Sequence, residues 1–390
     1  MNSKPHVLFI SNGAGEDAIC AQILKKIKRV TFEAMPLVGE GSSYEGIAPL
    51  CGPRKKMPSG GLIAENWLRI FNDLASGLGG LVIKQLLWLR RNRNNYREIV
   101  AVGDLWPVIM AILSGIRPIT FIGTAKSDYH HAYSALEAWA LRTFGVYSLV
   151  RDEQTAKSLR AQDVKAKWVG NAMMDGLEPR NLDFSLKENE MGLAMFPGSR
   201  QAAYGVLPRL IEIARKTSLR LNRPLCGLIA AAPSIDAAEL AAACSASAAE
   251  PIFPGWQQLI FSEKDTQPEP ARFFLIRDDL AGVLRCSSLA LGLAGTAHEQ
   301  AAGWGIPVVA YEKGGEKQMK WYRSRQKGLL GDALTVAEDD DEAVIEALIG
   351  LINDPAERKR RGDIGRVRLG PPGGAAAMAQ LIELLAEADI

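Results

Sequence analysis

Short apolar runs alternate along the chain with stretches in which apolar residues recur at helical spacing. The first series of apolar runs is rich in β-branched and aromatic residues. Because strands that alternate with helices are typical of βαβ units, this pattern predicts a parallel sheet covered by helices. The predicted strands are residues 6–11, 30–38, 98–104, 118–124, 147–152 and 166–171.

The same pattern restarts after a polar stretch. Residues 176–190 contain Pro179 and follow neither the helical nor the strand period, which predicts a linker. The second series predicts another doubly wound α/β domain, with strands at 192–199, 225–232, 271–277, 288–296 and 307–312. From residue 341 the pattern is helical, with a turn at 370–374. We therefore predict an N-terminal Rossmann-like domain over 1–178, a second over 190–370 and a C-terminal helix over 371–390.

Composition narrows the classes of function. The five cysteines form no Cys-x-x-Cys pair and the four histidines have no metal-ligand spacing with them, so no metal site and no bound cofactor is predicted. No uncharged apolar run reaches the roughly 18 residues needed to span a bilayer, and no secretory signal precedes the first strand. These features predict a cytoplasmic protein, and no nucleic-acid partner is predicted.

Two turns of the second domain are candidate anion sites. Gly198, Ser199 and Arg200 follow a predicted buried strand, where glycine permits close backbone approach and arginine supplies a forked cation. The alternative for Arg200 is a surface residue after an ordinary turn.

The second turn, Gly295, Thr296 and Ala297, opens a helix whose exposed N–H groups would bind a phosphate. His298, Glu299 and Gln300 follow in its first turns and could reach a ligand above them. The alternatives are a dipole-stabilising glutamate and an ordinary surface histidine.

Three ordered blocks resemble those of lipid-A-disaccharide synthase, in particular the related proteins of cyanobacteria. They are VGNAMMDGL at 169–177, FPGSR at 196–200 and GLAGTAHEQAAGWGIPVVAY at 292–311. The resemblance implies a GT-B fold, with two Rossmann-like domains facing a cleft. It also implies that the C-terminal domain binds a UDP-sugar and that the N-terminal domain binds a lipid or lipid-linked acceptor. One position departs from the family, since Gln300 stands where a ribose-binding glutamate is usual.

The first βα turn of the chain contains Gly13 and Gly15 in a G-x-G-x-x-A pattern. A nicotinamide cofactor would need an acidic residue at the end of the second strand, whereas Glu33 lies inside it. In the resembling transferases this loop faces the cleft, so the glycines would approach the acceptor. Glu16 or Asp17 could then act as the base, unless they only stabilise the helix start.

Asp104 is the other candidate base, slightly favoured over Glu16 and Asp17. It ends the predicted strand 98–104, in surroundings that resemble the strand end that carries an essential aspartate in the family. Its alternative role is an N-cap. The block IGTAKSDYHH at 122–131 also resembles the related proteins and supplies further acceptor-side candidates, which are Lys126, Asp128, Tyr129 and His130.

Residues 62–97 combine an apolar stretch with a run of arginines, and the first 180 residues carry 23 Lys and Arg against 16 Asp and Glu. Such a segment suits peripheral docking on an anionic membrane, and packing of an amphipathic helix is the alternative. The predicted reaction is inverting, metal-independent glycosyl transfer. A nucleotide-sugar 2-epimerase and a non-catalytic nucleotide-sugar-binding protein are the competing interpretations.

Overall fold

The structure is a computed structural model that describes residues 4–55, 78–178, 180, 184–198, 201–232, 235–261, 271–311 and 317–388. The chain divides into two compact units. Unit 1 comprises Met1–Gly176 and Pro372–Ile390, and unit 2 comprises Leu177–Pro371. No helix among the described residues is long and apolar enough to cross a membrane.

Unit 1 is built on a six-stranded parallel sheet in the order β2-β1-β3-β4-β5-β6. Its strands are β1 (His6–Ser11), β2 (Thr31–Pro36), β3 (Glu98–Gly103), β4 (Ile119–Gly123), β5 (Tyr147–Val150) and β6 (Ala166–Lys167). Its helices are α1 (Ala14–Leu24), α2 (Leu78–Asn92), α3 (Leu105–Ser114), α4 (Ala135–Thr143), α5 (Glu153–Arg160) and the C-terminal α13 (Gly374–Glu387).

Successive residues of the unit 1 strands pack on opposite faces of the sheet. Leu8 and Ile10 belong to the core that includes residues of α3 and α4, whereas Val7 and Phe9 pack with α1 and α13. A parallel sheet covered on both faces needs this near-continuous apolar sequence, which explains the clear strand signal.

The C-terminal helix α13 belongs to unit 1. Met378 and Ile382 of α13 pack against the β1 face, and the Asp175 carboxylate accepts hydrogen bonds from the Gly373 and Ala375 N–H groups at 2.7 and 2.8 Å. A Cβ on Gly374 would lie 2.5 Å from the backbone nitrogen of Asn171, so the approach requires glycine. The sequence left open which domain the terminal helices contact.

Unit 2 contains an eight-stranded sheet in the order β14-β13-β12-β7-β8-β11-β10-β9. Its strands are β7 (Met191–Phe196), β8 (Leu225–Ala231), β9 (Ala246–Phe253), β10 (Trp256–Phe261), β11 (Ala271–Arg277), β12 (Leu289–Gly292), β13 (Val308–Tyr311) and β14 (Leu334–Ala337). Its helices are α6 (Ala203–Leu221), α7 (Ala237–Ala243), α8 (Leu280–Arg285), α9 (Thr296–Trp304), α10 (Lys317–Leu330), α11 (Asp341–Asn353) and α12 (Pro355–Leu369).

Three strands of unit 2 were not predicted from the sequence. β9 and β10 form an antiparallel hairpin at one edge of the sheet, and β14 is a short strand at the other edge. β9 contains Pro251 and is mostly exposed or half-buried. Edge strands of this kind lack a continuous apolar sequence because only part of their surface is buried.

Candidate functional site

In each unit the strand order reverses beside the first strand of the sheet, β1 or β7. In unit 1 the chain passes from β1 to β2 on one side, and β3 pairs with β1 on the other; in unit 2, β8 and β12 flank β7 in the same way. Loops that leave the carboxyl ends of two such strands diverge, so they leave a crevice where ligands bind in open α/β sheets. The predicted site residues that follow β1, β3, β7 and β12 therefore fall at these two points.

In unit 2 the two predicted glycine turns leave neighbouring strands. Gly292 of β12 pairs with Phe196 of β7, and the Leu293 N–H donates to the Phe196 carbonyl at 3.0 Å. A Cβ on Gly292 would lie 2.3 Å from that carbonyl oxygen, so glycine is what lets the strands approach here. Gly198, two residues after β7, has φ of 112°, which favours glycine. Ser199 and Arg200 lie outside the described residues.

Helix α9 begins directly at this edge of the sheet. Its N-cap is Gly295, which has no side chain to accept hydrogen bonds from the N–H groups of the first turn, and Thr296 is exposed. Ala297, Glu299 and Gln300 are half-buried. An uncapped helix start concentrates unsatisfied donors and the positive end of the helix dipole, which together suit an anion.

Gly295 is also required by packing. A Cβ at this position would lie 2.2 Å from the Tyr322 hydroxyl of α10, with the next atom, Tyr322 Cζ, at 3.5 Å. The φ of Gly295 is −97°, which other residues can adopt. The contact with Tyr322 is therefore what excludes a side chain here.

His298 lies under the start of α9 rather than above it. Its side chain is completely buried, with Nδ1 3.3 Å from Gln326 Oε1 and its ring 5.8 Å from that of Phe196. Burial, with a smaller contribution from the charge of Arg323, lowers the pKa of His298 to about 3. The prediction that this side chain reaches a ligand above the helix does not fit its burial, because a neutral, enclosed imidazole supports the turn from below.

Arg323 of α10 is a buried residue that sequence reasoning missed. It is 1% exposed, and its Nη1 donates to the Ala294 carbonyl at 3.3 Å and to Gln326 Oε1 at 2.5 Å. Gln326 Nε2 donates in turn to the Gly295 carbonyl at 3.1 Å. The i, i+3 spacing of Arg323 and Gln326 puts them on one helix face. No sequence signal links that face to a turn 28 residues earlier.

In unit 1 the turns after β1 and β3 are joined by side chains. Asn12 Nδ2 donates to Asp104 Oδ1 at 2.8 Å, and the same oxygen accepts from the Trp106 N–H at 2.8 Å as the N-cap of α3. Gly103 has φ of 133°, and a Cβ there would lie 2.0 Å from Asn12 Oδ1. Asp104 is exposed and thus combines the N-cap role with a place at the strand edge.

Glu16 and Asp17 are adjacent in sequence but occupy different environments. Glu16 is half-buried, and its Cγ would lie 3.2 Å from a Cβ on Gly103. Burial and the nearby Asp104 charge raise the pKa of Glu16. Asp17 is only 3% exposed and accepts from the Ser11 hydroxyl at 2.6 Å. Burial raises the pKa of Asp17 to about 6, and its enclosure makes it a structural group rather than a base that meets an acceptor.

The two glycines of the first turn, Gly13 and Gly15, also have different surroundings. A Cβ on Gly13 would lie 2.6 Å from Glu16 Oε2, so this glycine makes room for the Glu16 carboxylate. Gly15 is exposed, and a Cβ there would meet no atom within 4 Å. Of these two glycines, only Gly13 would require the Glu16 carboxylate to move if it carried a side chain.

The loop after β4 holds the remaining acceptor-side candidates. Lys126 pairs with Glu137 at 2.6 Å, and Asp128 hydrogen-bonds to Ser158, which ties the loop to α4 and α5. Tyr129 and His130 are half-buried in the turn closed by Ser127. Lys126 and Asp128 thus have structural partners. Across the described ranges, no group of three His, Cys, Asp or Glu side chains could hold a metal ion.

Comparisons with known proteins identify similar folds. MurG of Acinetobacter baumannii superposes with a TM-score of 0.60 at 13% identity, covering 97% of this chain and 99% of that chain. CalG4, the calicheamicin glycosyltransferase, gives 0.59 at 15% identity, with coverage of 99% and 98%. The UDP-GlcNAc 2-epimerase of Neisseria meningitidis, solved with UDP-GlcNAc, gives 0.53 at 11% identity, with coverage of 97% and 99%.

Identities this low establish the fold alone. The predicted GT-B fold class, with two Rossmann-like α/β units, is confirmed. No protein-family model and no curated protein sequence matches the chain. The resemblance to lipid-A-disaccharide synthase in particular therefore stays a hypothesis.

Proposed function

We propose that this protein is a glycosyltransferase that moves a sugar from a UDP-sugar donor to a lipid or lipid-linked acceptor. The transfer inverts the anomeric centre and needs no metal ion. The observation that carries the proposal is the exit of the Gly198 and Gly295 turns from neighbouring strands of unit 2, next to the uncapped start of α9. The fold that the chain shares with glycosyltransferases supports the same class of reaction.

In this proposal unit 2 binds the donor. The diphosphate lies over the two turns and accepts hydrogen bonds from the first N–H groups of α9, at Thr296 and Ala297. Arg200 is proposed as an additional cation. Glu299 and Gln300 hydrogen-bond hydroxyl groups of the ribose or the sugar, with Gln300 as the uncharged acceptor.

Unit 1 binds the acceptor and supplies the base. Glu16 is our choice because its raised pKa makes its carboxylate a stronger base near neutral pH. Glu16 removes the proton of the acceptor hydroxyl, and that oxygen attacks the anomeric carbon. The bond from this carbon to the diphosphate oxygen breaks, and UDP leaves with the charge that the start of α9 stabilises. Asp104, fixed by Asn12 and the α3 backbone, positions the acceptor and raises the basicity of Glu16.

An exposed apolar face of unit 1 supports a lipid acceptor. Ile83 and Leu87 of α2 are 62% and 46% exposed, and Leu113 of α3 is 42% exposed. Arg90 Nε donates to the Leu113 carbonyl at 2.9 Å, which joins the two helices and places a cation beside the apolar side chains. This composition suits the boundary of an anionic membrane at its inner, cytoplasmic face. Residues 62–77 of the predicted membrane segment lie outside the described residues.

One helix connects the apolar face to Asp104, the residue that lies beside the proposed base Glu16. α3 starts immediately after Asp104 and reaches Leu113 nine residues later, which corresponds to roughly 14 Å along the helix. A lipid-linked acceptor could therefore keep its apolar part at the membrane while its hydroxyl group reaches Glu16.

A ligand screen by thermal shift tests the donor assignment. UDP and UDP-GlcNAc at a hundred times their dissociation constants should stabilise the protein by about 2.7 kcal/mol, whereas uridine, which has no phosphate, should not. Absence of any shift with UDP and a panel of UDP-sugars would reject the donor assignment. A shift that survives Arg200→Ala would remove only the proposed role of Arg200.

Substitution of neighbouring carboxylates tests the base. Glu16→Gln should lower the transfer rate about 10²- to 10⁴-fold while UDP binding stays unchanged. Asp17→Asn is the matched control, because it makes the same chemical change one residue away on a buried group. This variant should change the free energy of unfolding rather than the transfer rate. An active Glu16→Gln variant would exclude Glu16 as the base.

Vesicle sedimentation tests the membrane face. The protein should bind vesicles of phosphatidylglycerol and phosphatidylcholine, and the variant Ile83→Ser/Leu87→Ser should bind them more weakly without loss of UDP binding. Equal binding of both proteins to these vesicles would exclude this face as the docking surface.

A nucleotide-sugar 2-epimerase is the second candidate, because the same fold occurs in a 2-epimerase solved with UDP-GlcNAc. An epimerase needs no acceptor. Incubation with UDP-GlcNAc alone would give the 2-epimer in that case, whereas a transferase would give a new glycoside only when an acceptor is present.

A further inference from the structure

The start of α9 lies beside a buried positive charge that has no counter-ion among the described residues. The described groups that hydrogen-bond to the Arg323 guanidinium are the Ala294 carbonyl, the Gln326 amide and the neutral His298 imidazole, and the Tyr322 ring centroid lies 5.8 Å from the guanidinium Cζ. Within the described chain, no carboxylate forms an ion pair with Arg323. Among the described residues, the positive charge is therefore stabilised by dipoles and an aromatic ring and not by a negative charge.

The two guanidinium nitrogens of Arg323 that lack a partner lie on the same edge of the planar group. Within the described part of the chain, Nη1 makes every hydrogen bond of Arg323, whereas Nε and Nη2 are buried without a hydrogen-bond partner. Nε and Nη2 form one edge of the planar group, and their two parallel N–H bonds match two oxygens of a carboxylate or phosphate. The edge that is suited to an oxyanion is thus the edge that has no hydrogen-bond partner among the described residues.

Two other arginines of unit 2 have carboxylate partners. Arg272 forms two hydrogen bonds of 2.6 Å with the Glu190 carboxylate, and Arg209 pairs with Asp339 and Asp341. A buried charge without a partner destabilises a protein, because the lost hydration is not replaced. Burial also lowers the pKa of Arg323 in line with this cost. An anionic ligand that paired with Arg323 would remove this destabilisation.

We propose that Arg323 is a diphosphate-binding residue whose Nε and Nη2 pair with phosphate oxygens at the N-terminal turn of α9. The inference rests on the proposed donor site and identifies a cation for it within the described residues. His298 and Gln326 hold Nη1 against the turn, so the guanidinium is oriented before the ligand arrives. Because Nε and Nη2 are shielded from water, the groups that cover them shift when the diphosphate binds.

Thermal-shift titrations of the full chain with inorganic pyrophosphate, UDP and uridine test this role. Arg323→Gln should lose roughly 10- to 100-fold in affinity for pyrophosphate and UDP, as expected for one charge-assisted bidentate pair. Arg323→Lys keeps the charge without the fork and should lose several-fold. Without ligand, Arg323→Gln should unfold at the same or a higher temperature than the wild type, whereas a purely structural arginine would give a lower one.

Arg272→Gln is the matched control, since its arginine already has a carboxylate partner. It should lower stability and leave pyrophosphate affinity unchanged.

The outcomes separate this inference from the donor assignment. If the wild type responds to pyrophosphate and Arg323→Gln responds equally, Arg323 is not a ligand residue and the donor site stands. If the wild type and Arg323→Gln differ with pyrophosphate but UDP has no effect on either, the diphosphate role holds and the UDP-sugar assignment fails. If the wild type responds to neither probe, both are overturned. If Arg323→Gln does not fold, wild-type affinity in Arg323→Lys overturns the role, and a several-fold loss supports it.

Discussion

The contact between Gly295 and Tyr322 allows a quantitative test of how the turn proposed to bind the donor is built. In Gly295→Ala the new Cβ would lie 2.2 Å from the Tyr322 hydroxyl oxygen, so one of the two groups must move by about 1 Å to reach an ordinary contact. Inserting a methyl group into a packed site of this kind typically costs about 1–3 kcal/mol. The substitution should also weaken UDP binding, because the displaced turn carries the N–H groups proposed to hold the diphosphate.

Tyr322→Phe supplies the matched background. It removes the clashing oxygen and leaves Cζ as the nearest ring atom, 3.5 Å from the new Cβ, which is a normal van der Waals distance. The smaller cost of alanine instead of glycine at an N-cap is present in both backgrounds and cancels in the comparison. Gly295→Ala should therefore be much less harmful in Tyr322→Phe than in the wild type, with a coupling free energy of about 1–3 kcal/mol.

Urea unfolding of the four proteins, monitored by circular dichroism, measures the coupling. UDP titrations of the same proteins show whether binding recovers with stability. If Gly295→Ala costs the same in both backgrounds to within about 0.5 kcal/mol, the hydroxyl contact is not what requires glycine, and the reasoning is refuted.

Three further predictions concern other positions. Gly292→Ala should force β7 and β12 apart and lower both thermal stability and UDP affinity; unchanged UDP affinity would contradict this. Burial raises the pKa of Glu98 to about 7, so wild-type stability should fall by roughly 3 kcal/mol as pH rises from about 4.5 through 7. Glu98→Gln should lack this fall in pH-dependent urea unfolding, and an identical fall would refute the cause. Asp175→Ala should cost about 1–2 kcal/mol and expose α13 to proteolysis, and unaltered cleavage kinetics would contradict its capping role.

The strand pattern determined most of the fold. Every strand that is buried on both faces, such as β3 or β11, carries a near-continuous apolar run, and the predicted positions agree with the observed ones to within a few residues. The hairpin β9–β10 was missed because an edge strand buries only part of its surface and tolerates Pro251. The sequence likewise placed Gly198 and Gly295 after strands, since glycine turns follow directly from local pattern.

The tertiary structure alone decided which of the candidate side chains are buried and which stay accessible at the ends of the strands. Glu16 and Asp17 are both acidic residues of one first helical turn, yet they point about 100° apart, and packing buries Asp17 against Ser11 while Glu16 stays near Asp104. His298 was predicted at the surface and lies inside. Arg323 reaches the Gly295 turn from a different helix. Local sequence fixes backbone conformation through short-range sterics and periodicity, whereas burial and charge pairing depend on contacts between residues that are distant along the chain.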